Sequence, residues 1–409
     1  MNTEPIVIVG GGQAGFQVAA SLRQDGFAGA IHLVGDEPEL PYQRPPLSKA
    51  FLQGKVGRDG VLLRSHKFYD EHTIQWVNAR VMAIDRTNRR VLMGDGAQLP
   101  YGHLVLALGA HNRPLPVPGA DLEGVFGLRT LADAERLLPQ MEQARRVVVA
   151  GAGFIGLEFA CVAAARGLDV HVLELADRVM ARAVTPETAA VFQDSHTGAG
   201  VKLAFREAVV GVLGEQGRVR AVQTSKGRLI DADLVVVGIG VLPNIQLAAE
   251  AGLHIENGIR VDAFLVCSDA NISAIGDCAF FPSQHAGENI RLESVQNAVD
   301  QARCVAARLT GHAAPYATLP WFWSEQGALR LQIAGLVTGS DGTVVVGNVE
   351  QKSFSVMCFR GEHLVAVEST NRPGDHMAAR KVLARQSALN PATAAASGFD
   401  LKAWELATR

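Results

Sequence analysis

The chain has 409 residues, of which 48% are hydrophobic and 19% are charged, so it is neither disordered nor fibrous. At roughly 100–200 residues per domain, this length predicts two to four domains. The formal net charge of −3 favours neither a nucleic acid nor an anionic membrane as a partner.

The five cysteines lie far apart in the sequence, with no CxxC pair and no spacing typical of a zinc site. This usage favours a reducing compartment. The chain opens on a strand-like segment without a basic leader, and its uncharged stretches stop at about 16 residues, short of the roughly 20 that a membrane helix needs. We therefore expect a cytoplasmic protein without a membrane segment or a metal site.

The first predicted elements form a βαβ unit that holds a glycine-rich turn. A buried strand at residues 6–9 runs into Gly10-Gly11-Gly12-Gln13-Ala14-Gly15, and a helix and a second strand at residues 30–34 follow. Glycines at such a turn let the helix N-terminus approach a pyrophosphate. Asp36 follows the second strand, where a carboxylate accepts the ribose hydroxyls of an adenine dinucleotide. The alternative is a turn that serves packing alone.

A second βαβ unit repeats this pattern from residue 145. The strand at residues 147–150 leads into Gly151-Ala152-Gly153-Phe154-Ile155-Gly156, and Glu174 ends the next strand. Two such sites predict two different dinucleotides. Glu174 favours NAD over NADP, because a carboxylate accepts a free 2′-hydroxyl and repels a 2′-phosphate. Arg178 and Arg182 lie close by, and either serve the pyrophosphate or face solvent.

The remaining elements complete an α/β chain with a smaller α+β region. Strands are predicted at residues 104–108, 234–237 and 271–275, each ending in glycine. After residue 315 the pattern changes, and strands are predicted near residues 329–336, 343–349, 354–359 and 363–370, followed by a helical tail. Residues 390–399 are rich in Ala, Ser and Pro and predict a loop or linker.

Two strand ends carry a resemblance to the two-dinucleotide-binding flavoprotein oxidoreductases. They are Leu106-Ala107-Leu108-Gly109 and Ala274-Ile275-Gly276-Asp277. The resemblance implies that Gly109 marks a crossover between nucleotide domains and that Asp277 binds the ribityl chain of FAD; otherwise Asp277 is a helix N-cap. It also implies a glutathione reductase-like architecture, with an FAD domain at 1–113 and 241–318, an NAD domain at 114–240 and a C-terminal α+β domain at 319–409.

Within this class, the segment Pro41-Tyr42-Gln43-Arg44-Pro45-Pro46-Leu47-Ser48-Lys49 is similar to ferredoxin reductases of bacterial oxygenase systems and to apoptosis-inducing factor. No cysteine precedes Cys161, which argues against the thiol chemistry of the disulfide reductases. Residues 128–131, 293–298 and 321–324 match the same reductases. Two departures are Leu108, where the family has Thr, and Glu325, where it has Asp.

The resemblance implies a set of site residues. Lys49, held by Glu158, would stand beside the flavin N5, and Trp323 would be the indole beside the flavin; the alternatives are a surface lysine and a core aromatic residue. The predicted FAD residues are Gly10, Gly12, Gln13, Ala14, Gly15, Asp36, Arg44, Pro45, Lys49, Val81, Ala107, Gly109, Arg129, Gly276, Asp277, Val295 and Trp323. The predicted NAD residues are Gly151, Gly153, Phe154, Ile155, Gly156, Glu158, Glu174, Arg182, Gly238, Ile239 and Gly240.

The implied activity is hydride transfer from NADH to FAD, then single-electron transfer to a [2Fe–2S] ferredoxin that supplies a cytochrome P450 or a ring-hydroxylating dioxygenase. The alternatives are an NADH oxidase or flavin reductase using oxygen or a small acceptor, and a redox-sensing interaction protein. Ferredoxins of this type are usually acidic. The resemblance therefore suggests docking at Arg64, Arg303 and Arg330, which would otherwise be solvated arginines.

Overall fold

The computed structural model describes residues 3–408, which form two compact units. The first unit consists of the chain up to Gln43, Arg58–His111 and Leu242–Pro320. The second consists of Arg44–Gly57, Asn112–Val241 and the chain from Trp321 onward. The first unit follows the predicted FAD domain, except that residues 44–57 belong to the second. The finer division into three domains stays a prediction.

The secondary structure of the described residues alternates strands and helices. The strands are β1 (Ile6–Val9), β2 (Ile31–Gly35), β3 (Ile74–Asn78), β4 (Val81–Asp85), β5 (Arg90–Met93), β6 (Gln98–Pro100), β7 (His103–Leu106), β8 (Ala110–Asn112), β9 (Val125–Gly127), β10 (Arg146–Ala150), β11 (Asp169–Glu174), β12 (Lys202–Phe205), β13 (Val209–Glu215), β14 (Arg218–Thr224), β15 (Leu229–Asp231), β16 (Leu234–Val237), β17 (Val241–Pro243), β18 (Ile259–Arg260), β19 (Ile272–Ala274), β20 (Ala279–Ser283), β21 (Glu288–Ile290), β22 (Trp321–Gln326), β23 (Leu329–Gly335), β24 (Gly342–Asn348), β25 (Ser353–Arg360) and β26 (His363–Thr370). The helices are α1 (Gln13–Gln24), α2 (Arg58–Val61), α3 (His66–Glu71), α4 (Leu131–Gln143), α5 (Phe154–Ala165), α6 (Pro186–Gly198), α7 (Gln246–Glu250), α8 (Val295–Leu309), α9 (Pro373–Ala384), α10 (Pro391–Ala394) and α11 (Leu401–Ala407), with 3₁₀ helices at Pro45–Ser48 and Gly276–Cys278.

The first unit is built on a five-stranded parallel sheet with the order β19-β7-β1-β2-β3. All four residues of β1 are buried, as expected for a strand covered on both faces. Helices α1 and α8 pack against each other beside this sheet. Strand order reverses at β1, and ligands of open α/β sheets bind at the carboxyl ends of the strands at such a point.

The second unit contains the repeated α/β sheet, with the parallel order β12-β11-β10-β16-β9. It also contains the antiparallel sheet β22-β23-β26-β25-β24, on which α9 packs. Helix α5 follows the second glycine turn directly and packs against β22 and the 3₁₀ helix Pro45–Ser48. This packing brings two distant stretches of sequence to one helix.

Most predicted strands are confirmed within one or two residues, and a few expectations were wrong. The segment 390–399, predicted as a loop, contains α10 with Asn390 as its N-cap. The strand β22 was not predicted, because the aromatic run at its start shows no clear alternation. The antiparallel sheets β4-β5-β6 and β13-β14-β15 were likewise not predicted.

Two features are absent from the described part of the chain. No helix between residues 3 and 408 combines the length and apolar character needed to cross a bilayer. Over the same range, no three His, Cys, Asp or Glu side chains converge in a way that would hold a metal ion.

Candidate functional site

The first glycine turn closes so tightly that side chains are excluded at two positions. Gly10 has φ of +120°, and a Cβ there would lie 2.1 Å from the carbonyl oxygen of Ala107. A Cβ at Gly15 would lie 2.0 Å from the carbonyl oxygen of Gly10. A Cβ at Gly12, in contrast, would meet no atom within 4 Å. Gly12 is the N-cap of α1, so the turn presents open backbone at a helix N-terminus, which suits a phosphate.

A cavity of about 420 Å³ extends from this turn within the first unit. Gly10, Asp36 and Val81 all line it, so the structure brings together three residues predicted to bind FAD. Asp36 is exposed at the end of β2, where its carboxylate is accessible to a ribose. The cavity also borders Arg80 and Asn244, whose roles the sequence did not suggest.

Other predicted FAD residues of the first unit lie at strand and helix ends. Gly109 has φ of +65°, and its carbonyl accepts from the Asn244 N–H. The N–H of Gly276 donates to Oε1 of Gln301 at 2.7 Å, which ties the turn before Asp277 to α8. Val295 is the first residue of α8, whose N-cap is Ser294.

The second glycine turn repeats the first within the second unit and adds a held carboxylate. Oε2 of Glu174 accepts from the Ala152 N–H at 2.7 Å, and Oε1 accepts from the Ala176 N–H at 2.8 Å. Glu174 thus connects the glycine turn to the loop that follows β11. The remaining acceptor positions of its oxygens suit ribose hydroxyls.

Two arginines follow Glu174 and differ in their surroundings. A guanidinium nitrogen of Arg182 lies 3.6 Å from the position of a Cβ on Gly240, so Arg182 and the predicted segment Gly238–Gly240 meet. Arg178 instead donates to the carbonyl of Ala181 and pairs with Asp177. The structure therefore favours Arg182 over Arg178 as the arginine available to a nucleotide.

Lys49 and Glu158, predicted as a pair from 109 positions apart, form a salt bridge of 2.8 Å in the second unit. Their side chains are 18% and 6% exposed. Ser48 donates to the same carboxylate oxygen at 2.6 Å, and Ser324 donates to the other at 2.8 Å. The buried carboxylate therefore receives three hydrogen bonds, which fix its orientation beside the ammonium. Lys49 is not a free surface lysine.

Aromatic rings surround the start of α5 and β22. Trp323 lies 5.6 Å from Trp321 and 6.5 Å from Phe322, and Phe322 lies 4.5 Å from Phe154 of the glycine turn. Arg44, predicted for FAD, donates to the carbonyl of Arg129 at 2.9 Å.

The three arginines predicted for docking are exposed; Arg64 and Arg303 belong to the first unit and Arg330 to the second. Arg303 pairs loosely with Asp300 at 3.6 Å, and Arg330 pairs with Glu325 at 3.7 Å. Arg64 lies over the ring of Phe68 in the first unit. Arg308, which shares α8 with Arg303, instead turns inward and donates to Ser273. The sequence spacing did not reveal this difference between neighbouring arginines.

Sequence reasoning missed residues that support the two turns. The Trp76 indole lies against Gly11 and Gly35, where a Cβ would meet its ring at 2.7 and 2.4 Å. Ser324 was noted only as part of a matching segment, and neither Gln326 nor His196 was singled out. Nothing in the local pattern marks them, because their importance depends on partners far away in the sequence.

The chain is similar to known reductases along almost its whole length. The pyridine nucleotide-disulphide oxidoreductase family matches residues 4–302, and the reductase C-terminal family matches residues 321–404. Rhodocoxin reductase of Rhodococcus erythropolis is 52% identical over 97% of this chain and 93% of that protein. The crystal structure of the ferredoxin reductase for the CYP199A2 system from Rhodopseudomonas palustris has a TM-score of 0.97 at 50% identity, covering 99% of this chain and 100% of that one. The reductase in a covalent putidaredoxin reductase–putidaredoxin complex has a TM-score of 0.95 at 38% identity, covering 100% and 99%.

Proposed function

Because the chain belongs to the pyridine nucleotide-disulphide oxidoreductase family, we propose that it is an NADH-dependent ferredoxin reductase of an oxygenase system. Bound FAD would supply the chemistry that links a hydride donor, NADH, to an iron–sulfur acceptor that takes one electron at a time. The observation that carries this proposal is the presence of two dinucleotide turns with no cysteine before Cys161, in a chain half identical to named ferredoxin-type reductases.

The first unit fits FAD on its own residues. Gly10 and Gly15 close the turn, and Gly12 leaves the backbone open for a pyrophosphate. Asp36 would accept ribose hydroxyls, and Val81 would contact the adenine at the far side of the same cavity. Asp277 would bind the ribityl chain.

The second unit fits NADH. The Glu174 carboxylate is held by two backbone N–H groups, so it does not have to reorganise to accept ribose hydroxyls. The same fixed charge repels the extra phosphate of NADPH. Arg182, beside Gly240, supplies a positive charge for the pyrophosphate.

The Lys49–Glu158 pair supplies a fixed charge for the chemistry. Glu158 holds the Lys49 ammonium in one place, and a preorganised charge stabilises developing negative charge better than a mobile one. We place Lys49 beside the flavin N5, and Trp323 as the indole beside the flavin, on the family resemblance.

For the acceptor we propose a [2Fe–2S] ferredoxin that docks through Arg64, Arg303 and Arg330. The pairs of Arg303 and Arg330 are exposed and longer than 3.5 Å, so they contribute little to stability and leave both charges available to an acidic partner. Such charges mainly increase the association rate, because they steer the encounter.

We also propose a cytoplasmic location. All five cysteines are free. Free thiols without any disulfide are typical of a reducing compartment.

Anaerobic stopped-flow spectroscopy tests the function. The purified protein should carry FAD, and NADH should bleach its flavin absorbance faster than NADPH. The reduced protein should then pass electrons to a [2Fe–2S] ferredoxin far faster than to oxygen. Faster reoxidation by oxygen would identify an oxidase instead, and a protein that neither contains nor binds FAD would refute the proposal.

A further inference from the structure

Gln326 joins three parts of the second unit through one buried amide. The residue lies on β22 and is 2% exposed. Its Oε1 lies 2.8 Å from Nε2 of His196 in the last turn of α6, and its Nε2 lies 3.2 Å from Oγ of Ser324. The same Nε2 lies 3.5 Å from Sδ of Met180. The proposed roles of Glu174, Arg182 and Lys49 do not use any of these contacts.

The hydrogen bonds from His196 through Gln326 and Ser324 all donate in the same direction, toward Glu158. The amide oxygen of Gln326 can only accept, so Nε2 of His196 carries a proton and donates. Burial lowers the pKa of His196 from its ordinary value, so the imidazole is neutral at neutral pH. The Gln326 NH₂ group therefore faces Ser324 and donates to its Oγ. Because this oxygen is already an acceptor, the Ser324 hydroxyl directs its own proton to Glu158.

Ser324 occupies one oxygen of Glu158, and Ser48 and Lys49 occupy the other. A carboxylate bonded at both oxygens cannot rotate about its last bond without breaking a charge-assisted hydrogen bond. The position of the Lys49 ammonium consequently depends on the Ser324 hydroxyl. Ser324 in turn is oriented by Gln326.

The other neighbour of Gln326 belongs to the loop that follows Glu174. Met180 has φ of +49°, and its N–H donates to the carbonyl of Ala152 in the glycine turn at 2.9 Å. Arg182 lies two residues further along the same loop. Met180 is thus fixed to the nucleotide turn on one side and to Gln326 on the other.

We propose that Gln326 is a positioning residue, which couples the loop carrying Met180 and Arg182 to the orientation of Glu158 and thereby to the Lys49 ammonium. Ser324 transmits the coupling, and His196 fixes the direction of the amide. The functional consequence rests on the proposed function, since it requires that NADH bind at this loop and that Lys49 assist flavin reduction. The coupling itself is a property of the protein and can be measured without turnover.

The experiment measures the reactivity of the Lys49 amine. The FAD-loaded enzyme is treated with a limiting amount of N-hydroxysuccinimidyl acetate, and acetylation of Lys49 is quantified by mass spectrometry against Lys67, whose side chain is 80% exposed. Gln326→Met keeps the volume of the side chain but removes its hydrogen bonds. Ser324→Ala removes the hydroxyl, whereas Ser324→Thr keeps it. Ser355→Ala is the matched control, because Ser355 is a buried serine of the same sheet that donates to Asp375 instead.

Ser324→Ala removes a hydrogen bond to the buried carboxylate, and Gln326→Met removes the group that orients the Ser324 hydroxyl. Both variants should therefore loosen the pair and raise Lys49 acetylation about tenfold. Ser324→Thr and Ser355→Ala should match the wild type, and Lys67 should not change in any variant. NAD⁺ should change Lys49 acetylation in the wild type, and this response should disappear in Gln326→Met. The limiting rate of flavin reduction should fall about tenfold in the same two variants, with FAD content unchanged.

Unchanged Lys49 acetylation in Gln326→Met and Ser324→Ala would overturn the proposal. So would an NAD⁺ response of equal size in Gln326→Met, since NAD⁺ would then shield Lys49 directly. An equal rise in Ser355→Ala would show that general loosening of the sheet causes the effect, and would also overturn it. If NADH does not reduce the wild-type flavin, the proposed function fails, while the acetylation results still decide whether Gln326 orients the pair.

Discussion

The two glycine-rich turns have the same backbone but different surroundings. Gly10 and Gly151 have φ of +120° and +101°, and a Cβ at Gly15 or Gly156 would lie 2.0 or 2.2 Å from a carbonyl oxygen of its own turn. Two residues later the repeats diverge. Gln17 bonds to Ser21 within its own helix, whereas Glu158 binds Lys49 and two serines from elsewhere in the sequence.

The acidic residues that end the next strands also differ. Asp36 is exposed, whereas Glu174 accepts from two backbone N–H groups and joins its turn to a loop. The same motif thus has an exposed acidic residue in the first unit and a hydrogen-bonded acidic residue in the second. A shared motif determines the turn, and the partners of the next few side chains determine what the turn does.

The largest difference between the two turns should appear when a glycine of each turn is replaced by alanine. Gly15→Ala should yield protein without FAD, because the Cβ collides with the Gly10 carbonyl. Gly156→Ala should retain FAD but lose reduction by NADH. Gly12→Ala has room for its methyl group and should fold normally, as circular dichroism can show, while binding FAD weakly. Flavin absorbance of the purified variants is the measurement, and FAD retained at wild-type levels in Gly15→Ala would contradict the assignment.

The second prediction compares Glu158 and Gln17, which stand two residues after the last glycine of each turn, and tests Glu158 through its partner Lys49. Lys49→Met should slow single-turnover flavin reduction about 100-fold, because the fixed charge is lost where negative charge develops. FAD content should stay the same. Gln17→Leu, at the repeat position of Glu158, should leave the reduction rate within about twofold, as expected for a partly buried hydrogen bond within one helix. Equal rates in Lys49→Met and the wild type would remove Lys49 from the chemistry.

The third prediction, with a smaller expected effect, is that Glu174 and Asp36 govern the binding of different nucleotides. Glu174→Ala should weaken NADH binding about tenfold and narrow the preference over NADPH, because two N–H groups lose their acceptor and the repelling charge is gone. Asp36→Ala should reduce FAD affinity without any change in nucleotide preference. Titration of tryptophan fluorescence and steady-state kinetics with both nucleotides measure these effects. A wild type that uses NADPH as well as NADH would refute the role of Glu174.

The smallest expected effect is on the free energy of unfolding at acid pH. It distinguishes the two parallel sheets, because only the first has a histidine at the position concerned. His103 pairs with Ile6 at the start of β1, the end away from the first glycine turn, whereas Leu234 pairs with Val147 at the matching place in the second sheet. Burial, with Arg308 nearby, lowers the pKa of His103 to about 3. Between that value and its unfolded pKa of about 6.5, the unfolded chain binds the extra proton. The stability contributed by neutral His103 is therefore present at pH 7 and is lost as the pH falls.

From pH 7 to pH 5 this proton should cost about 2 kcal/mol of unfolding free energy. His103→Asn removes the titrating group and should flatten the curve by that amount, even though it lowers stability at pH 7. Denaturant unfolding at several pH values is the measurement. A variant whose stability falls with pH as steeply as that of the wild type would show that other groups cause the acid sensitivity.

Much of this protein could be predicted from local sequence. Continuous apolar runs such as 6–9 predicted buried parallel strands, and the glycines after them predicted turns, because both depend on neighbours a few positions apart. The pairing of Lys49 with Glu158 came from a family resemblance, since no local pattern joins residues so distant. The helix at Pro391–Ala394 was missed because its composition also suits a loop.

The sequence by itself determined the two glycine-rich turns, because glycine conformation and strand burial depend on short motifs, and the family resemblance of its motifs indicated the class of enzyme. Only the tertiary structure decided that Glu158 receives three hydrogen bonds, that Arg308 turns inward while Arg303 stays exposed, and that Gln326 touches Met180, His196 and Ser324. The physical reason is that the surroundings of a buried polar group depend on its partners, and chain folding brings Lys49 to Glu158, and Met180 and His196 to Gln326, from more than 100 positions away.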